Sequence, residues 1–326
     1  MTRTGFTILA VITAVPGIAQ AQWQPTRPVQ LILPNAPGGG PDFIARLIVP
    51  KLSEFGKQNI VIDNRASNNG IVGTEIAARG APDGSSMIIG NSGTHAINAT
   101  LYRKLPYDPV RDFAAVTEIA SPTLVLLTHP SVPARNVREL VALARQSPGK
   151  LNFAIAGATG EVAGNALKLQ AGLDIKNIPY RGGGPAIVAL MSGESDVLFT
   201  NYVAIESHIA TGRLRLLGIT SAKRSPRLPQ VPTIAEGGLE GYAVEMWHGL
   251  FMPAKTPASV VQAVSRETAR IVALPEVRDK LESTGHTVNT STPEQFTEKV
   301  KLEVEKFRLY SARVKRLYFK SKCRML

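Results

Sequence analysis

The sequence is poor in cysteine and in aromatic residues. Cys323 is the single cysteine among 326 residues, so the chain forms no internal disulfide and must draw its stability from a hydrophobic core. No histidine lies near Cys323 in the sequence, which argues against a catalytic thiol. Aromatic residues make up 6% of the chain, and the basic residues of its main part are scattered. The sequence therefore indicates no stacking platform or basic stripe for nucleic acid.

Long apolar runs are missing after the N-terminus. No later run approaches the roughly 18 apolar residues that a membrane span requires. The short run at residues 6–15 follows Arg3 and precedes Ala19-Gln20-Ala21, a small-x-small pattern typical of signal-peptide cleavage. We expect residues 1–21 to be a signal peptide and the mature protein to be soluble in the periplasm; a retained N-terminal anchor is the alternative.

Nucleotide and metal motifs are also missing. The glycines at 38–40 precede a helical pattern that starts at Phe43, but no lysine follows them as in a Walker loop, and the third glycine of a dinucleotide turn is absent. Neither His95 nor His248 has a metal-ligand partner four residues on, so we expect no metal and no cofactor. A glycine turn before a helix can hold a small anion on unpaired backbone N–H groups, or it can be only a tight connection.

Charge is unevenly distributed along the chain. The formal net charge is +12, and residues 311–326 contain basic residues but no acidic one. The main part of the protein is therefore only mildly basic. The basic residues of this C-terminal segment are Arg313, Lys315, Arg316, Lys320, Lys322 and Arg324.

Strand-like and helix-like patterns alternate along the chain. This rhythm predicts an α/β fold with mostly parallel sheets covered by helices, whose ligands sit beyond the carboxyl ends of the strands. A second triple glycine, at 182–184, follows another short extended segment. One triple-glycine turn in each half of the chain predicts two lobes that present backbone donors to one cleft. Ser259 and Thr292 are predicted N-caps of two C-terminal helices.

Several segments, in order, resemble the tripartite tricarboxylate transporter substrate-binding proteins, the Bug family of periplasmic receptors. The similarity extends from about residue 22 to about residue 304. The matching segments are Pro37-Gly38-Gly39-Gly40-x-Asp42, Asp63-Asn64-Arg65, Pro82-Asp83-Gly84, Pro179-Tyr180-Arg181-Gly182-Gly183-Gly184-Pro185-Ala186, Arg224-Ser225, Val231-Pro232-Thr233, Trp247-x-Gly249-Leu250, Pro253 and Thr256-Pro257.

The resemblance implies a two-lobed type II periplasmic binding protein, a Venus-flytrap fold. After the signal peptide, residues 22–122 would form the first part of lobe 1, 123–222 lobe 2, and 223–310 the return to lobe 1. Residues 311–326 form a basic tail unlike the family, and we expect it to be unstructured or peripheral. The implied function is binding of a small carboxylate (a di- or tricarboxylate, an amino acid or an aromatic acid) by a monomer that delivers it to membrane transporter subunits, without catalysis.

The resemblance also implies ligand contacts from both lobes. Asp42 would cap its helix, since its charge repels an anion, and Arg181 would be either a counter-charge or a solvated surface residue. Asn35 and Pro41 replace residues that are usual in the family, which leaves the ligand class open. The implied contacts are Pro37, Gly38, Gly39, Asp42, Asn91 and Ser92 from lobe 1, and Gly157, Thr159, Gly160, Tyr180, Arg181, Gly182 and Asn201 from lobe 2.

Two alternative functions remain open at this point. A ligand-binding sensor for a membrane signalling protein would share the same sequence features. A secreted hydrolase would need a nucleophile elbow, and Gly90-Asn91-Ser92-Gly93-Thr94 departs from that motif at its last position. His95 follows Ser92 too closely to act as the base of a triad.

Overall fold

The structure, a computed structural model, describes residues 23–155, 158–180 and 182–323, and within them the side chains of residues 68, 158 and 310–323 are not described. The predicted signal peptide and the predicted contacts Gly157 and Arg181 lie outside the described residues. Among the residues that are described, no helix is both long enough and apolar enough to cross a membrane.

Strands and helices alternate through most of the described chain. The strands are β1 (Val29–Leu33), β2 (Ile60–Asn64), β3 (Ser86–Asn91), β4 (Phe113–Pro122), β5 (Leu124–Thr128), β6 (Asn152–Ile155), β7 (Lys176–Pro179), β8 (Val197–Asn201), β9 (Arg215–Ile219), β10 (His248–Pro253) and β11 (His286–Val288). The helices are α1 (Gly40–Gly56), α2 (Ile71–Ala78), α3 (Asn98–Leu101), α4 (Val137–Gln146), α5 (Ala158–Ala171), α6 (Gly183–Ser192), α7 (Glu206–Ala210), α8 (Ala258–Ala273), α9 (Pro275–Ser283) and α10 (Pro293–Cys323).

The strands form two sheets, one in each lobe. The first is six-stranded, in the order β11-β4-β10-β3-β1-β2, and the second is five-stranded, in the order β7-β6-β8-β5-β9. The two-lobed α/β prediction is confirmed. The sheets, however, are mixed rather than mostly parallel. β1 is parallel to β2 and β3, and β6 is parallel to β7 and β8, while the other pairings are antiparallel.

The antiparallel pairings arise where the chain passes between lobes. β4, which the sequence patterns do not predict, ends at Pro122, and β5 begins at Leu124 in the other sheet, so no helix connects the two strands. A parallel pairing of successive strands needs a crossover connection, usually a helix. β4 pairs with β10 only after the chain has passed through lobe 2, and the two strands run antiparallel. Alternating patterns therefore predict parallel pairing only within each βαβ unit.

The return to lobe 1 comes later than residue 223. β9 pairs with β5 in the second sheet, within the segment expected to form lobe 2. Further along, Ile234, Tyr242 and Val244 are buried in the core of lobe 2. The chain re-enters the first sheet at β10, so residues 245–247 form the second crossing between lobes, which we call the crossing segment.

Each sheet is covered on both faces, as its apolar strands require. In β1, Leu31 and Leu33 face a core with residues of α1 and α8, while Ile32 faces a second core that includes Trp247 and Phe296. In the second sheet the two faces likewise carry separate buried clusters.

Only one of the two predicted caps forms. The Thr292 hydroxyl accepts from the Gln295 backbone N–H at 3.2 Å, and the Gln295 side chain accepts from the Thr292 N–H at 3.0 Å, which is a capping box. By contrast α8 begins one residue before Ser259, after Pro257. The part of the basic tail up to Cys323 is helical instead of unstructured, because α10 continues as one helix through that residue.

Candidate functional site

A cavity of about 390 Å³ lies between the two lobes. It opens at the ends of strands from both sheets, where ligands of α/β proteins are commonly held. Lobe 1 contributes Asn35, Ser67, Asn69, Gly70, Asn91, Gly93 and Thr94; lobe 2 contributes Leu124, Thr159, Gly160, Gly183, Phe199, Thr200 and Asn201; and the crossing segment contributes Met246.

The lobe 1 wall is made of turns that hold one another in place. Asn69 donates from Nδ2 to the Tyr102 hydroxyl at 2.9 Å. The Asn91 side-chain oxygen accepts from the Thr94 backbone N–H at 3.0 Å, which fixes the turn after β3. Gly70 has a φ of 72°, and a Cβ there would lie 2.8 Å from the Thr94 methyl group. Both the left-handed backbone and the close approach require glycine at this position.

The lobe 2 wall is made of two helix starts and a strand end. Thr159 and Gly160 lie in the first turn of α5, and Gly183 is the first residue of α6. A Cβ on Gly160 would lie 3.2 Å from the Phe199 carbonyl oxygen, so glycine lets α5 approach β8 closely. The first N–H groups of a helix have no partner within the helix, and they favour a negative charge. Two such starts therefore border the cavity.

The cavity lining is uncharged, and amide and hydroxyl side chains lie in it beside the apolar Leu124, Phe199 and Met246. Among the described lining residues there is no aspartate, glutamate, lysine, arginine or histidine. Its polar side chains are amides and hydroxyls, and the glycines of the lining add backbone groups. Such a wall can donate several hydrogen bonds to an anion without a cationic side chain. Among the described residues no cluster of three His, Cys, Asp or Glu side chains is placed to hold a metal ion.

The first triple-glycine turn is held by the protein's own carboxylate. Asp42 is 4% exposed. It accepts from Arg46 Nε at 2.9 Å, from the Gly38 backbone N–H at 3.1 Å and from Asn64 Nδ2 at 3.3 Å. The hydrogen bond from Arg46 is the main cause that lowers the pKa of the Asp42 carboxyl below its ordinary value. Asn64 also donates to the Asn35 carbonyl at 3.2 Å, so this brace supports the cavity wall from behind.

The structure brings together four of the residues implied by the resemblance. Asn91, Thr159, Gly160 and Asn201 line the cavity. The rest of the described set lies outside the lining. Pro37, Gly38, Gly39 and Asp42 form the braced turn beside it, Ser92 is fully buried behind it, and Gly182 is the exposed residue before Gly183.

Tyr180 also lies outside the lining. Its hydroxyl donates to Glu194 at 2.8 Å and lies 3.1 Å from the Ser195 hydroxyl. These contacts hold the Tyr180 side chain beside the residues that follow α6, and it does not line the cleft. Tyr180 is therefore placed as a packing residue of lobe 2.

Several lining residues could be found only with coordinates. Asn35 and Gly183 are not among them, because the sequence already singles out Asn35 beside the first glycine turn and Gly183 within the second, although neither is an implied contact. Met246 has no motif signal, because its position depends on where the chain crosses between lobes. Thr200 is the penultimate residue of β8, directly before the predicted Asn201.

A hydrolase would need a base beside Ser92, and the described residues place none within hydrogen-bond distance of its hydroxyl. This hydroxyl is buried and has no hydrogen-bond partner among the described residues. The Nδ1 atom of His95 lies 2.9 Å from the Thr94 hydroxyl, and its ring stacks on Phe251 with centroids 3.9 Å apart. Complete burial lowers the pKa of His95 to about 3, which suits a core histidine that stays neutral.

Comparison with known proteins identifies the family. The family model described as "Tripartite tricarboxylate transporter family receptor" matches residues 44–309. The chain belongs to this family. The match spans both lobes of the receptor and the part of α10 up to Leu309.

Two curated relatives of this receptor are similar over most of their length. The protein of the tcbD–tcbE intergenic region of Pseudomonas sp. is 35% identical over 302 residues, which cover 92% of this chain and 90% of the relative. Protein BugT of Bordetella pertussis is 31% identical over 301 residues, which cover 90% and 92% respectively.

Two solved structures resemble the receptor in fold and sequence. Rpa4515 of R. palustris, solved with adipate, has a TM-score of 0.78 and 33% identity over 89% of this chain and 98% of that one. MatC of Rhodopseudomonas palustris, solved with bound malate, has a TM-score of 0.76 and 29% identity over 88% and 99%. Both neighbours were therefore solved with a dicarboxylic acid.

Proposed function

We propose that this receptor binds a small carboxylate in the cavity between its lobes and delivers it to the membrane subunits of a tripartite transporter. The observation that carries the proposal is the lining of that cavity, where two helix starts and a set of neutral amides and hydroxyls surround about 390 Å³. The adipate and malate of the two solved neighbours support an organic acid as ligand.

The lining favours an ionised carboxylate for a physical reason. Each N–H or O–H that donates to a carboxylate forms a charge-assisted hydrogen bond, which is stronger than a neutral one. The α5 and α6 starts add about 0.3–1 kcal/mol each through their dipoles. Donors come from both lobes, so the ligand stabilises the closed arrangement in which both lobes contact it. No proton transfer or bond cleavage is required.

The proposed setting is the periplasm. The signal-peptide pattern at 1–21 and the family both support export of the mature chain. A sensor that signals to a membrane protein would use the same cleft, and the family match favours transport over that role. Catalysis is not part of the proposal, because Ser92 is buried and has no base partner in the part of the chain that the structure describes.

A thermal-shift screen tests the proposal directly. A ligand that binds only the folded state raises its stability by RT ln(1 + [L]/Kd), about 2.7 kcal/mol at 100 times Kd. We expect at least one of adipate, malate, citrate, glutamate and benzoate to raise the melting temperature by several degrees. The corresponding uncharged amides are the controls and should have no effect. A flat response to all the acids, or an equal response to the amides, contradicts the proposal.

A further inference from the structure

Helix α10 contacts both lobes beside the crossing segment. Phe307 packs in one buried cluster with Ala96 and Ile97 of lobe 1, and Val162 of α5 in lobe 2 packs against the same cluster. Lys306 donates from Nζ to the Ala243 carbonyl at 2.6 Å, just before the chain crosses back to lobe 1. The helix is therefore a physical link between the lobes in addition to the two chain crossings.

Within this link, α10 holds Trp247 of the crossing segment from two sides. The indole Nε1 donates to Glu303 Oε2 at 2.6 Å. The indole ring meets Phe296 edge-on, with centroids 5.1 Å apart and planes at 82°. Trp247 is completely buried and Glu303 is 9% exposed. A carboxylate placed in such a position needs a strong partner, and the indole N–H is one.

Trp247 is directly connected to the cavity wall. The preceding residue, Met246, lines the cavity. The Trp247 carbonyl accepts from the Ser92 backbone N–H at 3.3 Å, and the next residue, His248, pairs with Asn91. A shift of Trp247 would therefore move Met246 and the turn at 91–94 together.

We propose that Glu303 is a positioning residue for the ligand cavity: by holding Trp247 it sets the place of Met246 and of the 91–94 turn. The inference rests on the proposed function, because the cavity must be the ligand site for this positioning to affect binding. Glu303 itself lies outside the cavity lining and acts through Trp247.

Among the described residues, the charged groups around Glu303 come from α10, from the crossing segment and, through Lys299, from β4. Lys299 and Lys306 lie one turn away on α10, and Glu245 lies on the crossing segment. Lys299 is itself held by both carboxylate oxygens of Glu118 on β4, at 2.9 and 3.0 Å. Burial raises the pKa of Glu303 to about 7, although the Trp247 hydrogen bond and the two lysines act in the opposite direction. We therefore expect Glu303 to titrate near neutral pH.

Deprotonation strengthens the hold on Trp247. An ionised carboxylate accepts a charge-assisted hydrogen bond from the indole, and protonation replaces it with a weaker neutral bond. The cavity wall is then held more firmly at pH 8 than at pH 6. This gives the positioning role a pH signature that a merely structural carboxylate on the surface lacks.

The test follows two reporters in the ligand-free protein. The chain has two tryptophans, so the indole N–H signals can be assigned with ease, and the Met246 methyl carbon can be labelled. In the wild type we expect the Trp247 indole and the Met246 methyl to shift with one midpoint near pH 7. Both shifts should disappear in Glu303→Gln. Glu305→Gln is the matched control, since Glu305 pairs with Arg308 on the exposed side of α10, and it should titrate like the wild type.

Affinity measurements at pH 6 and pH 8 complete the experiment, with malate and adipate as probes. We expect the wild type and Glu305→Gln to bind about threefold or more tightly at pH 8, as a strengthened hydrogen bond allows. Glu303→Gln should bind equally at both pH values. An indole that does not titrate, a Met246 methyl that stays still, or a wild-type affinity equal at both pH values overturns the inference while the proposed function stands. Failure of the wild type to bind any acid of the screen contradicts the proposed function instead, and the inference falls with it.

Discussion

Replacing Gly183 with leucine is expected to weaken acid binding by about 100-fold or more, which corresponds to about 3 kcal/mol of binding free energy. Gly183 is the first residue of α6 and lines the cavity. A Cβ at this position would meet only the Thr200 hydroxyl, 4.0 Å away, so the new side chain enters the ligand space without a clash against the protein. The backbone of Gly183 has no positive φ, so the fold tolerates a side chain there. Isothermal titration calorimetry with the acid found in the screen measures the loss.

Gly184→Leu is the matched control for this prediction. Gly184 is the next residue of the same helix, a Cβ there would meet nothing within 4 Å, and it does not line the cavity. We expect its affinity to equal that of the wild type and both variants to melt close to the wild type. Equal affinities in all three proteins would contradict the assignment of the cleft.

Acid is expected to destabilise the receptor through its buried histidines. Burial lowers the pKa of His95 and of His248 to about 3, against an ordinary value of 6.5. Because the unfolded chain takes up these protons and the folded chain does not, their stability contribution is complete above pH 6.5 and is lost as the pH falls towards 3. Between pH 7 and pH 4.5 each histidine should cost about 2–3 kcal/mol of unfolding free energy.

Glu303 acts with the opposite sign over the same interval. Its folded pKa of about 7 lies above its ordinary 4.5, so its contribution is complete below pH 4.5 and is lost as the pH rises through 7. The unfolding free energy of the wild type therefore changes less with pH than the histidines alone would cause. Comparing a variant that lacks one of these groups with the wild type isolates the contribution of that group.

Urea unfolding of His95→Phe at pH 7 and pH 4.5 makes this comparison. The substitution can change the unfolding free energy at pH 7 by any amount. The drop in unfolding free energy from pH 7 to pH 4.5 should, however, be about 2–3 kcal/mol smaller in the variant than in the wild type. Phe113→Leu is the control, because Phe113 contacts His95 edge-on with centroids 4.6 Å apart and has no titratable group. Its pH dependence should match that of the wild type. An unchanged pH dependence in His95→Phe would contradict the linkage.

Local patterns predict the helices and strands of this receptor well because each βα unit buries its own apolar residues. The second glycine turn could also be found, since Gly183 begins α6 where the motif indicates. The first turn shows the limit of such reasoning. Its glycines were expected to face a ligand, yet the Gly38 N–H donates to Asp42, four residues further on. Asp42 was expected to cap its helix, but the sequence did not show that this carboxylate takes a backbone donor of the glycine turn that was also assigned to the ligand.

The remaining differences involve distant parts of the chain. Met246 enters the cavity only because residues 228–244 pack on lobe 2 before the chain crosses back. The partner of Trp247 is Glu303, far away in sequence, and no local pattern links them. Mixed sheet order has the same origin, because β4 and β10 pair after the chain has visited the other lobe.

A crystal structure of the receptor with its tightest-binding acid tests the central claim most directly. The account predicts density for the acid between the lobes, with one carboxylate hydrogen-bonded to the backbone near Gly183 and Thr159 and contacts to Asn91 across the cleft. It also predicts that Asp42 still holds the Gly38 N–H. An acid bound anywhere else on the molecule, or one held in the cleft by lobe 1 alone, would contradict it.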